Sequence, residues 1–425
     1  MRESANGLSQ DLARPGQHSD PWGRYYTSPD VSRSLIERIE AGKPRVVVEL
    51  GSGFGALCLA AADRWTEAQL VTVDVDCQAQ ESLNMGRISP NLRHSHFVHD
   101  ALDEKLSDKI GLQLGTADVA VCNPPYIRPR WRSDFGKILE DAGLSGTLAS
   151  IHDAGADLLF LAQNLRLLRR NGKLGLILPD GLVTAERFRG VRHALLRQHM
   201  IEQVVQLPRR VFKDTEAQTY LVVLSKMAGE TQQVMLRQMK NDGNVSDAIE
   251  VPQELAAKRL DYSYHSRPSS QRCSGTYKPM SVGEVVTEVV RGTICSSDIA
   301  DFPFQVFHLG DFPKPAGDQT ARIVPKRFAL NKRAAKIVAN NTRLAQPGDI
   351  LLARVGRGLE NKIALVVHGP CVISDCIFAL GTSDEYRERL YRFFDSEVGR
   401  NALAASSRGV AARFISKSDL SEIQF

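Results

Sequence analysis

Short apolar runs that stop abruptly, each followed by helix-forming residues, set the rhythm of the first half of this chain. Val46-Val-Val-Glu-Leu50 is β-branched and stops at a glycine, and residues 56–65 (ALCLAAADRW) then favour a helix. Leu70-Val-Thr-Val-Asp74 and Val119-Ala-Val-Cys122 are further short strands. A helical stretch near 153–170, a strand at 174–178, a helix at about 185–199 and a strand at 203–207 follow, and Tyr220-Leu-Val-Val-Leu-Ser225 closes the series. Strands alternating with helices predict a parallel, doubly wound α/β sheet over a domain of residues 21–228. Residues 1–20 are polar and read as a flexible tail. The patchy, polar stretch 229–262 reads as a linker. Beyond it, residues 263–425 carry shorter apolar runs between Gly and Pro, such as Ile350-Leu-Leu-Ala353 and Ile363-Ala-Leu-Val-Val367. This half predicts a second, α+β domain with much β.

Composition narrows the class. With 425 residues, 43% hydrophobic and 24% charged, the chain is expected to be globular and two-domained. No apolar run approaches a membrane span, and the N-terminus lacks the apolar core of a signal peptide. Seven cysteines without a CxxC pair fit reduced thiols in a cytoplasm. Charge is uneven: residues 1–250 hold 30 basic against 31 acidic side chains, whereas 251–425 hold 24 against 18. Segment 322–343 has seven cations and no acid. One such run is usually a solvated face, but concentration in one half favours an anionic partner, nucleic acid being the commonest large one.

Candidate chemistry sits where strands end. Asn123-Pro124-Pro125-Tyr126 follows the strand 119–122, and two prolines fix two φ angles and remove two donors. The Asn123 side chain and neighbouring carbonyls become rigid acceptors beside an aromatic face, which suits a planar –NH2 group; the alternative is an ordinary Pro-Pro turn. Glu49-Leu-Gly-Ser-Gly-Phe-Gly55 lies between the first strand and helix, and Gly51, Gly53 and Gly55 allow positive φ and close approach by a ligand. Asp74 ends the next strand, where a carboxylate can accept ribose hydroxyls. Such a turn is compatible with a nicotinamide, flavin or S-adenosylmethionine cofactor. The G-x-G-x-G spacing and the acid Glu49, unwelcome to a pyrophosphate but not to an ammonium, favour S-adenosyl-L-methionine. Asp100 is a candidate for the cofactor's adenine amine and reads equally as an exposed loop acid. His94-x-His96-x-x-His99 would put His99 on the opposite strand face, so no metal site is expected.

These residues together resemble the amino-methyltransferases that act on adenine N6 in DNA. The resemblance covers nearly the whole chain, in the order cofactor motifs, catalytic motif, target recognition. Gly23-Arg-Tyr-Tyr-Thr-Ser-Pro29 is similar to the motif touching the methionine end of the cofactor, which implicates Tyr26, Thr27 and Pro29. Asn123 to Tyr126 matches the catalytic motif. The span from Leu178-Pro-Asp-Gly181 through Leu207-Pro208 to Phe212 and Lys226 is similar to modification subunits of type I restriction systems. Pro347-Gly-Asp-Ile-Leu-Leu-Ala-Arg354, Ser374-Asp375 and the stretch from Ser407-Arg-Gly409 to Ser418-Asp-Leu420 resemble one target-recognition domain of a type I specificity subunit; a second such domain and the long helical spacers are missing.

The resemblance implies a Rossmann-like S-adenosylmethionine-dependent methyltransferase sheet carrying a DNA target-recognition domain. It implies transfer of a methyl group to the N6 amine of an adenine flipped out of double-stranded DNA. Asn123 Oδ1 and the Pro124 carbonyl would accept the amine hydrogens, with Tyr126 and Phe212 stacking on either face of the base. Phe212 reads equally as a core phenylalanine. Arg128, Arg130, Lys326, Arg327, Lys332, Arg333, Lys336, Arg354 and Arg357 are the candidate DNA contacts. A cognate restriction endonuclease and a homodimer are the partners this family suggests. Two alternatives stay open: a glutamine-amide or RNA methyltransferase with the same motif, and a non-catalytic DNA-specificity subunit.

Overall fold

A computed structural model describes residues 27–79, 93–212, 217–266, 280–313, 323–324, 326–340, 342–409 and 412–425. The chain divides into two compact units, Met1–His265 and Ser266–Phe425.

In the first unit the described strands are β1 (Val46–Leu50), β2 (Gln69–Asp74), β3 (His94–Val98), β4 (Ala117–Cys122), β5 (Leu168–Pro179), β6 (Met200–Gln206), β7 (Thr219–Ser225), β8 (Gln233–Gln238) and β9 (Ile249–Pro252). They form one sheet in the order β3-β2-β1-β4-β5-β7-β6-β8-β9. From β3 to β5 every pairing is parallel, and β7 runs antiparallel to both β5 and β6. Helices α1 (Pro29–Glu37), α2 (Ala56–Arg64), α3 (Asp134–Asp141), α4 (Ala156–Leu167) and α5 (Arg189–Gln198) cover the sheet. This is the doubly wound α/β sheet that the alternation predicts.

The two faces follow from the period-two geometry of strands. On β4, Val119 and Val121 join the core shared with Leu35 and Ile36 of α1 and Leu57 and Ala61 of α2. Ala120 and Cys122 join the opposite core with Phe135 of α3, Leu158 of α4 and Leu196 of α5. Every residue of β4 is buried, which explains a sequence apolar at every place but Asp118. Each buried aliphatic side chain contributes about 1.5–3 kcal/mol, so the strands that carry the site are also those that anchor the fold.

The linker expectation needs correction. Residues 229–262 contain β8 and β9, which extend the first sheet: β8 pairs parallel with β6 and antiparallel with β9. Val234 and Leu236 are buried while their neighbours are more exposed. That alternation belongs to a strand next to the sheet's edge with one covered face, whose polar half hides it among loop-like residues. Helix α6 (Gln253–Lys258) follows.

The second unit contains β10 (Val286–Arg291), β11 (Val306–Phe307), β12 (Ile323–Val324), β13 (Leu344–Ala345), β14 (Ile350–Ala353), β15 (Ile363–Val366), β16 (Cys371–Ile373) and β17 (Ile377–Thr382). Five of these form a sheet in the order β10-β17-β14-β15-β12, and β11-β16-β13 form a smaller one. Helices α7 (Lys332–Ala339), α8 (Asp384–Asp395) and α9 (Glu397–Ser406) complete it. Ile350 and Leu352 of β14 pack toward Leu390 and Phe394 of α8, while Leu351 and Ala353 enter a second core with Phe307 and Phe328.

Candidate functional site

Strand order reverses between β1 and β4, because β2 and β3 lie to one side and β5 to the other. Ligands of open α/β sheets bind at such a switch point, outside the carboxyl ends of the strands. Register Glu49↔Val121 aligns the two strands, and the Cys122 Sγ–H donates to the Leu50 carbonyl at 3.1 Å. The glycine loop and the Asn-Pro-Pro-Tyr loop therefore leave the sheet side by side.

The glycine loop is possible only with left-handed residues. Gly51, Gly53 and Gly55 have φ of 72°, 48° and 77°, a region that costs other residues about 1–2 kcal/mol each. A Cβ on Gly51 would also lie 3.2 Å from the Phe160 ring. The turn is fastened to β2: Gly51 and Ser52 N–H donate to the Val73 carbonyl at 2.8 and 3.1 Å. Gly53 N–H donates to Asp74 Oδ2 at 2.7 Å, and Asp76 N–H to Asp74 Oδ1 at 2.9 Å. Asp74 is 4% exposed. Its carboxylate holds the loop's shape, each oxygen keeping a lone pair for a further donor.

A cleft of about 800 Å³ opens above this turn, lined among others by Thr27, Pro29, Glu49, Gly51, Ser52, Gly53, Phe54 and Asn123. Thr27, Pro29, Glu49, Gly51, Gly53 and Asn123 are thus brought together as the sequence suggests. Tyr26 lies outside the described residues. Gly55 caps α2. Asp100 is placed differently: its Oδ2 pairs with Arg132 Nη1 at 2.6 Å and its Oδ1 accepts Leu102 N–H at 2.9 Å. Arg132, five residues beyond Ile127, thus claims the acid, and Asp100 is a loop brace.

Glu49 and Ser52 carry the strongest sign of a ligand. Glu49 Oε2 and Ser52 Oγ are buried with no hydrogen-bond partner among the described residues. Burial pushes the Glu49 carboxyl well above the usual carboxylate range, and Asp74 nearby adds to the effect. An unpaired buried acid costs free energy unless a cation arrives. An α-ammonium group fits that requirement, so the residues present suit the methionine end of S-adenosylmethionine. Ser52 and Phe54, which is 46% exposed, were not singled out from sequence; they occupy the two variable places of G-x-G-x-G, where residue type gives no signal.

On the other lip, Asn123 Nδ2 donates to Thr27 Oγ1 at 3.0 Å, and the Tyr126 hydroxyl donates to Asn123 Oδ1 at 3.2 Å. Pro124 is buried, Asn123 and Tyr126 half-buried. Ala156 N–H donates to the Ile127 carbonyl at 3.0 Å, tying the loop to the start of α4. The amide oxygen is therefore fixed at the cleft with an aromatic ring beside it. Phe212 does not join them. It is 2% exposed and packs with Val205, Leu207 and Leu221, so the core reading holds for this side chain.

A family model for N-6 DNA methylases matches residues 12–266. The chain belongs to this family. Among the relatives of this chain, the Type II methyltransferase M.XamI of Xanthomonas campestris pv. amaranthicola is 25% identical over 65% of this chain and 52% of its own length. A tRNA1(Val) (adenine(37)-N6)-methyltransferase of Vibrio parahaemolyticus is 26% identical over 52% of this chain and 84% of its own. The type IIG restriction endonuclease BpuSI has a solved structure that aligns with 95% of this chain and 59% of its own, at a TM-score of 0.51 and 13% identity. That likeness is one of fold. The chain spans about half the length of the Type II relative.

The cationic candidates differ in their surroundings. Arg128 is committed to the His152 carbonyl at 2.7 Å and Asp153 at 2.8 Å, while Arg130 is exposed. Lys332, Arg333 and Lys336 are exposed on α7, whose first turn Asn331 caps by accepting Ala334 N–H at 2.7 Å. Lys326 and Arg327 form a short 3-10 turn, with Arg327 4.9 Å from the Phe328 ring centre. Arg357 is exposed and Arg354 half-buried. His94 Nε2 and His96 Nδ1 both contact Thr72 Oγ1, at 2.8 and 2.9 Å. No described helix is long and apolar enough to cross a membrane.

Proposed function

We propose that this chain is a site-specific DNA methyltransferase acting on the N6 amine of adenine in double-stranded DNA, with S-adenosyl-L-methionine as donor. The observation that carries the reading is one cleft shared by the buried Glu49 carboxyl, one oxygen of which has no partner, and a fixed amide oxygen, Asn123 Oδ1. Glu49 and Ser52 would hold the methionine end, and Asp74 would share its remaining lone pairs with the ribose. The cofactor would supply a methyl group on a cationic sulfur, an electrophile that needs no further activation.

Adenine's N6 lone pair is delocalised into the ring. Acceptors at Asn123 Oδ1 and the Pro124 carbonyl would draw the two N–H bonds and favour a more tetrahedral, nucleophilic nitrogen. The Tyr126 hydroxyl, which occupies Asn123 Oδ1 in this structure, would yield that place to the amine. Its ring would then stack on the extruded base, at about 1–3 kcal/mol, offsetting part of the cost of unpairing. Alignment in the cleft supplies much of the remaining acceleration.

The second unit, whose residues 266–425 carry 22 cations against 16 acids, would be the target-recognition domain. Its cations Lys326, Arg327, Lys332, Arg333, Lys336, Arg354 and Arg357 would meet DNA, as would Arg130 beside the catalytic loop. The enzyme would act in the cytoplasm with a cognate restriction endonuclease, alone or as a homodimer. An RNA substrate is a second reading, favoured by the 84% of the Vibrio tRNA methyltransferase that aligns here. Incubation with labelled S-adenosylmethionine and equal amounts of duplex DNA or total tRNA separates the two. Label entering DNA alone supports the proposal; label entering RNA alone replaces it with the second.

A further inference from the structure

One end of the five-stranded sheet in the second unit gathers two arginines around one aspartate. Arg291 ends β10, Arg354 follows β14, and Asp375 precedes β17; the pairings Arg291↔Phe378 and Ala353↔Ile377 bring the three together. Arg354 Nε and Arg291 Nε donate to the Asp375 carbonyl at 3.0 and 3.3 Å, and Arg291 Nη2 stands 3.5 Å from the Asp375 carboxylate. Two guanidinium groups thus share one backbone carbonyl, while the Asp375 carboxylate faces Arg291. Elsewhere in this unit Arg408 pairs with Asp419 and Arg413 with Glu360.

Arg354 is the under-compensated member. It is half-buried, its guanidinium carbon 6.0 Å from the Phe378 ring centre. Among the described residues its two Nη nitrogens meet no acceptor. Burial and the charge of Arg291 pull its pKa down, so the cation is held there against both. The frame around it is stiff. Arg354 N–H donates to the Cys376 carbonyl and its own carbonyl accepts Ile415 N–H, both at 2.8 Å; Asp375 N–H donates to the Ile294 carbonyl at 2.9 Å. His308 Nδ1 contacts Ser374 Oγ at 2.8 Å. A Cβ on Gly292 would lie 2.1 Å from the Ser374 carbonyl oxygen, so the strand end is packed as closely as backbone allows.

We propose that Arg354 reads a guanine of the target site through its Nη edge, with Arg291 and Asp375 as the residues that position it. The inference rests on the reading of the chain as a DNA methyltransferase and adds which cation reads sequence. A fork that must meet O6 and N7 together needs a fixed orientation. Arg354 has one. Lys332, Arg333 and Lys336, exposed on a helix surface, suit phosphates, whose contact carries no sequence information.

The test maps the methylated motif by long-read sequencing of DNA from cells expressing the full chain. The wild type, Arg354→Gln, Arg354→Lys and the triple variant Lys332→Ala/Arg333→Ala/Lys336→Ala are compared. Arg354→Gln is expected to relax one guanine position, discrimination there falling about tenfold to a hundredfold, with the rest of the motif kept. Arg354→Lys, which keeps charge and stem should the glutamine variant fail to fold, loses the fork and relaxes the same position. A duplex with 7-deazaguanine there slows the wild type by a similar factor and leaves both variants unaffected. The triple variant keeps the motif and shows a shallower salt dependence of binding. An unchanged motif in both Arg354 variants overturns the proposal. A wild type that modifies no DNA overturns the underlying reading as well, so the two failures are distinguishable.

Discussion

Two buried acids at opposite ends of the same strand pair have opposite fates. Asp118, near the start of β4, is 8% exposed, and Glu49, near the end of β1, is 4% exposed. Asp118 Oδ2 accepts Arg45 and Val46 N–H at 2.8 and 3.0 Å, and its Oδ1 accepts Arg169 Nε at 2.6 Å. Burial works to raise its pKa, but Arg169 and the two amides outweigh burial and hold the carboxyl below its usual range. Glu49 has an orphaned oxygen and a pKa driven upward by burial. The chemistry is the same carboxylate; the partners differ. At the amino ends of the strands an acid staples the fold, and at the carboxyl ends one keeps an oxygen without a partner, where the proposed cofactor would bind.

Asn123→Ala sharpens this contrast most. Removing one preorganised catalytic contact is expected to slow methyl transfer about 10²–10³-fold, measured by single-turnover label incorporation, while thermal stability stays near wild type. Asp118→Ala is expected to do the reverse. Stability falls by about 1–3 kcal/mol, since two amides and a guanidinium lose their acceptor, with cofactor affinity unchanged in calorimetry. A loss of affinity comparable to the loss of stability would break the division between the two ends. Gly51→Ala tests the turn itself. The left-handed φ of 72° and the Phe160 ring predict a destabilisation of about 1–2 kcal/mol by denaturant titration, and weaker cofactor binding with it.

The pH dependence of stability separates the acids more finely. Glu49's folded-state pKa lies above its unfolded value, so between the two the native state binds more protons. Stability should therefore decline as pH rises through the window above the ordinary carboxylate range. Asp118's pKa is depressed, so its contribution is present above its unfolded value and fades as pH falls below it. Thermal melts of ligand-free Glu49→Gln should lack the first decline and keep the second.

The sequence announced the site most clearly where backbone chemistry is restrictive. Three glycines in five residues and two consecutive prolines admit few conformations, and both loops lie where those residues require. Thr27, Glu49 and Asn123 met in one cleft because parallel β1 and β4 bring their ends together. Side-chain roles set by tertiary neighbours were harder to read. Asp100 went to Arg132 from 32 positions away, and Phe212 into the core, because nothing local distinguishes a brace from a binder or a stacked ring from a packed one. Residues 229–262 concealed β8 and β9, since a strand with one covered face buries only alternate side chains. The triad of Arg291, Arg354 and Asp375 spans three segments of the chain and has no linear signature.

The central claim is that Glu49 awaits a cation, and calorimetry of S-adenosylmethionine binding in two buffers of different ionisation enthalpy tests it most directly. At a pH below Glu49's raised pKa, the wild type should release a proton on binding. Glu49→Gln should release none and bind about ten- to a hundredfold more weakly, the worth of a charged hydrogen bond. Equal affinity and equal proton release in the two proteins would contradict the account.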